Sequence, residues 1–298
     1  MASLKEVRSR IVSVTSTQQI TKAMKMVAAA KLRRAQDNII RMRPYAQRLG
    51  SILANLSRLN DDSTSNLYAE RREINRVLVV VITSDRGLAG AFNSNVIKAV
   101  NNLVNERYSR QMAVGQVDFL AIGRRGHDYL SKRGSKLIGN YTHIFTQLSF
   151  DTVRVAAEYA MNAFRNGEYD QVDIVYNEFK NVATQIIRTE QFLPIQEQAP
   201  AVSSSNVTAN TNYIFEPSKE QIIAELIPKS LKIQFYKAVL ESNASEHGAR
   251  MTAMDKATDN AGELLKQLKL TYNRSRQAAI TTEILEIVGG AEALAAGR

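Results

Sequence analysis

The chain has 298 residues, 44% of them hydrophobic, and a formal net charge of +10. That hydrophobic fraction is ordinary for a folded protein, and no run of 18 or more apolar residues offers a membrane-spanning helix. The absence of cysteine excludes disulfides and thiolate metal sites, and the three histidines, His127, His143 and His247, lack metal-ligand spacing.

The charge is unevenly placed. Residues 1–60 carry twelve Lys and Arg against only Glu6 and Asp37, so the whole net charge lies there. A basic helix calls for an acidic partner, whether nucleic acid, an anionic membrane or an acidic protein surface. The alternative is a solvated face, although such a face ordinarily mixes both signs.

From Leu4 to Leu56, sixteen positions taken in alternating steps of three and four are apolar except for Gln18, Thr21 and Lys25. This heptad seam predicts a helix over residues 1–60, about 80 Å long. Ser3 and Glu6 form a capping-box pattern at its start, Pro44 predicts a local kink, and the polar run 60–66 predicts its end. The three polar seam positions are consecutive, which predicts weakened pairing with a partner helix. Met24, Met26 and Val27 then leave apolar surface off the seam. That surface either reflects a local change of packing register or faces a partner that encloses the helix.

Residues 74–195 read as an α/β domain. Residues 76–83 are an apolar β-branched run, as in a strand buried on both faces. Helices are expected near 91–108, 124–133 and 150–164, with Asp151 as a possible cap for the last. Strands are expected at 117–122, near 136–140, at 171–179 and at 183–189. Strands alternating with helices predict a doubly wound, Rossmann-like sheet. The loop Ser84-Asp85-Arg86-Gly87-Leu88-Ala89-Gly90 follows the first strand, where phosphate could be cradled, but GxGxxG and Walker spacing are absent. Glycines serving a tight turn are the other reading. Residues 196–217 are a polar linker.

A second long helix is expected over 218–290, with Ser218 and Gln221 as a capping box, a kink at Pro228 and a stop at Gly289-Gly290. Ala244, His247, Met251, Met254, Thr258, Ala261, Leu265, Leu268 and Tyr272 keep heptad steps. The two terminal helices, matched in length, are expected to pair as an antiparallel coiled coil with both chain ends meeting at its tip. No catalytic constellation stands out, and no cofactor or metal is expected. His247, on the seam, reads as a packing residue.

Three stretches carry a family resemblance. They are Thr17-Gln18-Gln19-Ile20-Thr21-Lys22-Ala23-Met24-Lys25-Met26, Ser245-Glu246-His247-Gly248-Ala249-Arg250-Met251, and Tyr272-Asn273-Arg274-Ser275-Arg276-Gln277-Ala278 with Glu286-Ile287-Val288-Gly289-Gly290-Ala291. With the Ser84–Gly90 loop, they resemble the gamma subunits of F-type ATP synthases, in register over nearly the whole chain. The resemblance implies a non-catalytic rotor shaft inside a ring of alpha and beta subunits, its foot meeting the epsilon subunit and the c-subunit ring. It implies that Met24 and Lys25 face the lower beta subunits and that Arg276, Gln277 and Thr281 meet a beta-subunit loop. Arg250 would couple to the Met24 region, and Ile280, Ile284, Leu285, Ile287 and Val288 would sit in an upper bearing. Ala89, Gln19 and Gly248 depart from common family residues. A peripheral place on the cytoplasmic face of a bacterial membrane is expected, since no signal core opens the chain. The competing class is a basic coiled-coil arm for nucleic acid. Against it, Tyr45 is the single aromatic of residues 1–60 and no groove-reading motif is present.

Overall fold

The computed structural model describes residues 4–58, 67–195 and 219–297. The expected caps at Ser3 and Ser218, the chain turn at 60–66 and the 196–212 loop lie outside them. Two compact units emerge, one of Met1–Ala28 with Met251–Arg298 and the other of Ala29–Arg250. Two helices run through both: α1 over Leu4–Arg58 and, last in the chain, a helix of 78 residues over Lys219–Ala296. Both contain a proline, Pro44 and Pro228, and the helix continues through each.

In the second unit, β1 (Val77–Ile82), α2 (Phe92–Arg107), α3 (Ser109–Ala113), β2 (Val117–Ile122), α4 (Arg124–Lys132), α5 (Phe150–Arg165), β3 (Gln171–Phe179) and β4 (Gln185–Leu193) lead to the long last helix, α6. The sheet order is β2-β1-β3-β4, with the first three strands parallel and β4 antiparallel to β3. The antiparallel edge is short-connected. Asn181 Oδ1 accepts from the Ala183 and Thr184 amides and turns the chain between β3 and β4.

Alternation along β1 explains the continuous apolar run. Leu78, Val80 and Ile82 pack with Ala156, Ala160 and Phe164 of α5 and with Leu231 and Phe235 of α6. Val77, Val79 and Val81 pack on the other face with Val96, Val100 and Leu103 of α2. A strand covered on both faces has no polar side to display. The doubly wound expectation therefore holds, with β4 making the sheet mixed.

Three local expectations are corrected. Residues near 136–140 form only isolated bridges, Phe119 to Leu137 and Ile122 to Tyr141, because the segment meets β2 at single points. The cap of α5 is Ser149, which exchanges hydrogen bonds with Thr152, rather than Asp151. Gly289 and Gly290 do not stop α6, which continues to Ala296. Neither glycine has a positive φ, so the conformational freedom that would make them a stop is unused.

Candidate coupling surfaces

Within the first unit the two long helices pair through polar side chains where the sequence predicted weakened pairing. The Thr258 hydroxyl approaches that of Thr21 at 2.8 Å, and Gln18 Nε2 donates to the Thr258 carbonyl at 3.5 Å. Lys25 Nζ reaches Asp255 Oδ1 at 2.5 Å. The three interruptions are thus partnered across the seam, which turns an apolar break into a register marker. The surface beside them stays open: Met26 is 64% and Val27 57% exposed, while Met24 is half-buried. Met24 and Lys25 therefore differ. Lys25 is held by α6 and Met24 borders the free apolar stripe.

The same pairs set the helices antiparallel. At equal rise per residue this register brings Leu4 opposite about residue 276, so about 20 residues of α6, or 30 Å, extend past the start of α1. The expectation that both ends meet at the tip is corrected: α6 outruns α1. Burial changes at that point. Tyr272 and Ser275 are partly covered, and from Arg276 to Ala291 every residue is exposed. Arg276, Gln277 and Thr281 open this stretch, and Thr281 spends its hydroxyl proton on the Gln277 carbonyl of its own helix. Ile280, Ile284, Leu285, Ile287 and Val288 lie farther along, with Leu285 and Ile287 about two-thirds exposed. Five large apolar residues thus lie exposed together on this helix end, more than scattered surface hydrophobes.

Arg250 belongs to the second unit. One of its nitrogens meets Glu246 Oε1 at 2.5 Å, and the other donates to the Arg86 and Gly87 carbonyls at 3.1 and 3.2 Å. It therefore ties α6 to the loop after β1. Farther back, Ser245 donates to the Asn177 carbonyl at 3.0 Å, and the buried Glu241 accepts from the Phe179 amide at 3.1 Å. Both acceptor and donor lie at the carboxyl end of β3. The chain leaves β1 toward β2 on one side and reaches β3 on the other, so this is the sheet's switch point, where doubly wound folds hold ligands. Here α6 fills that crevice with its own side chains.

The charges in the crevice are perturbed accordingly. Burial raises the Glu246 carboxyl above its ordinary range, while the Arg250 cation opposes the rise. Burial, with Arg250 and Lys31 nearby, depresses His247 to about 4, so it is neutral at physiological pH. His247 is thus a packed neutral residue. Gly90 at φ 58° supplies the left-handed turn that closes the loop, as the tight-turn reading required. Among the described residues there is no cluster of His, Asp or Glu able to hold a metal. Glu241 and Asp255 were not singled out from the sequence, and Ser245 and Glu246 only as part of the family-like stretch, because their partners in the Asn177 carbonyl, the Phe179 amide and Lys25 lie far away in the chain.

Comparison with known proteins gives a consistent picture. A family model described as ATP synthase matches residues 3–294. The chain is 65% identical to the ATP synthase gamma chain of Cytophaga hutchinsonii and 57% identical to that of Flavobacterium johnsoniae, each over 99% of both chains. Its fold is similar to a chain in the Euglena gracilis mitochondrial ATP synthase OSCP/F1/c-ring structure, with a TM-score of 0.65, 21% identity, and coverage of 99% of this chain and 95% of that one. It is also similar to a chain of the Tetrahymena thermophila mitochondrial ATP synthase central stalk and c-ring, with a TM-score of 0.57, 25% identity, and coverage of 80% and 99%. A family match over nearly the whole chain and 65% identity over the full length of a gamma chain leave one conclusion: the chain belongs to the ATP synthase gamma-chain family.

Proposed function

We propose that the chain is the central rotor shaft of an F-type ATP synthase and performs no bond chemistry itself. The observation that carries this reading is the exposed end of α6, which presents Arg276, Gln277, Thr281 and five large apolar residues beyond its partner helix. Alpha and beta subunits would enclose it. The α/β part of the second unit would meet the epsilon subunit and the ring of c subunits. No described helix is long and apolar enough to cross a membrane, and attachment would be peripheral, through the complex, on the cytoplasmic face of a bacterial membrane.

The mechanism follows from symmetry. A ring of three equivalent catalytic pairs cannot choose which site is empty. An axle with different sides can, because each pair then meets a different surface. Moving a two-state equilibrium from 1:99 to 99:1 takes about 5.5 kcal/mol of differential contact. Solvent-exposed ion pairs supply only about 0–1 kcal/mol each, so the basic face of α1 would guide without locking. The apolar stripe at Met26 and Val27 and the apolar helix end would carry most of the difference. By linkage, the nucleotide state of the ring turns the axle as the axle sets the nucleotide state.

The test is reconstitution. Alpha and beta subunits of the same organism, with and without this chain, are assayed for sustained ATP hydrolysis and, with the membrane sector, for ATP-driven ion pumping. Incorporation at one chain per ring, with multi-site turnover and pumping, is the expected result. Stable assembly without any change in turnover would overturn the reading. Salt-sensitive nucleic-acid binding by the isolated chain would instead support the competing class.

A further inference from the structure

We infer that Thr258 and Asp255 of α6 are positioning residues for coupling. With Thr21 and Lys25 of α1 they lock the two helices of the first unit against sliding, so that the apolar stripe at Met26 and Val27 keeps its height on the axle. The inference rests on the shaft reading for the load, and on the pairs themselves for the lock.

The apolar part of the seam does not resist a slide by itself. Ala28, Met254 and Ala261 are buried near the pairs, and apolar contact is non-directional. Moved by one heptad, an apolar seam buries the same kind of surface again, about 10 Å along the axis. Met26 and Val27 would travel that distance past any surface that reads them. The polar pairs fail at such a step. One heptad away in either direction, Thr21 meets Met251 or Leu265, and Lys25 meets Gly248 or Gly262. No hydroxyl or carboxylate replaces the one left behind.

The hydroxyl pair is also fixed in detail. Thr21 is buried, and its hydroxyl lies 3.0 Å from the Gln18 carbonyl, as that of Thr258 lies 2.7 Å from the Met254 carbonyl. With one proton each, one hydroxyl donates to its own helix and the other across the 2.8 Å between them. Gly262 leaves room for the Gln18 amide, since a Cβ there would lie 3.0 Å from Nε2. Such bonds are lost within about 1 Å of displacement, so the register is held from the first step of a slide. Lys25 and Asp255 are partly exposed, and their ion pair adds direction rather than much stability. Loss of the lock should therefore separate coupling from stability.

The experiment uses the assembled complex. Spin labels on Ser9→Cys and Asn260→Cys, both exposed, sit about eleven residues apart along the axis, so a slide changes their separation. The parent should give one narrow distance. Thr21→Val with Thr258→Val and Asp255→Lys should add a displaced population and cut ions pumped per ATP hydrolysed at least threefold, while ATP hydrolysis continues. Asp255→Lys alone should lower that ratio, and Lys25→Asp with Asp255→Lys should restore it to within twofold of the parent. An unchanged distance, a slide without loss of coupling, or a loss of coupling without a slide would each overturn the inference. Should the triple variant fail to assemble, the charge swap decides: no rescue would mean that Lys25 acts on the ring directly and not through Asp255. A parent chain that joins the ring without supporting pumping would fail the shaft reading alone, because the label distances on the same samples do not depend on it.

Discussion

Arg250→Met tests whether α6 is pinned in the sheet's crevice by charge. The substitution keeps most of the apolar stem and removes the guanidinium. Glu246, nine-tenths buried, is then left without its cation. Breaking a buried pair from one side costs about 3–5 kcal/mol, because a buried charge is stranded. The Arg86 and Gly87 carbonyls also lose a donor, but their loop is partly exposed and water can replace it, so that loss is about 1 kcal/mol or less. Glu246→Gln should be milder, about 1–3 kcal/mol, since the amide oxygen still accepts from Arg250. The double variant strands no charge, and should cost less than the two single changes added together by about 1–3 kcal/mol. With two compact units, unfolding of the whole chain need not be two-state. Hydrogen exchange of the amides at 84–90 and 241–250 is therefore the assay. In Arg250→Met the Glu246 carboxyl, already raised by burial, loses the cation that opposed the rise. The folded variant then binds a proton that the unfolded chain releases, so its penalty should be constant above that raised folded value and shrink as pH falls through it toward the ordinary carboxylate range. A cost under about 1 kcal/mol, or an additive double variant, would refute the reasoning.

Other outcomes derive from the same geometry. His247 falls from 6.5 to about 4 on folding, so the unfolded chain binds the extra proton between those values and stability should drop as pH falls through that window, by at most about 3.4 kcal/mol; His247→Gln should flatten that slope in the hydrogen-exchange opening free energy of the amides around it compared with the parent. Asp255→Asn removes a pair whose partners are 34% and 48% exposed, so the thermal midpoint should move little, about 1 kcal/mol or less; a loss of several kcal/mol would mean the pair carries the seam. Gly248→Ala should stabilise α6 by about 0.5–1 kcal/mol, since a Cβ there meets Phe179 at 3.4 Å, ordinary contact; destabilisation would show that the crevice tolerates no methyl. Arg276→Ala and Ile284→Asp, at exposed positions of the helix end, should leave the chain's melting unchanged and cut ATP-driven pumping in the assembled enzyme; equal pumping would remove the helix end from the coupling surfaces.

The long helices and the sheet were legible because their signals are periodic and sustained. A heptad seam and a two-sided apolar strand each repeat one physical demand over many residues. The polar interruptions at Gln18, Thr21 and Lys25 were visible, but their meaning was not. A break in one helix becomes a key only when its counterparts are known, and Thr258 stood on the opposing seam as a sign that could have been matched. Asp255 could not be found this way, being one acid on a mixed helix face. The end of α6 was misjudged for a related reason. Gly289-Gly290 lowers helix propensity but does not forbid helix, and the good helix formers from Ala291 to Ala296 carry it on. Glu241 and Ser245 act through strand ends brought to the helix by topology, which no local spacing records, whereas the Glu246–Arg250 pair has ordinary i,i+4 helix spacing and could have been matched.

The most direct measurement is rotation itself. The chain has no cysteine, so Met112→Cys gives a unique attachment point on an exposed residue of the second unit. With the alpha–beta ring fixed to a surface and a bead attached there, ATP should drive unidirectional rotation in steps of about a third of a turn, matching three equivalent catalytic pairs. ATP turnover at the same rate with a stationary or merely fluctuating bead would contradict the account.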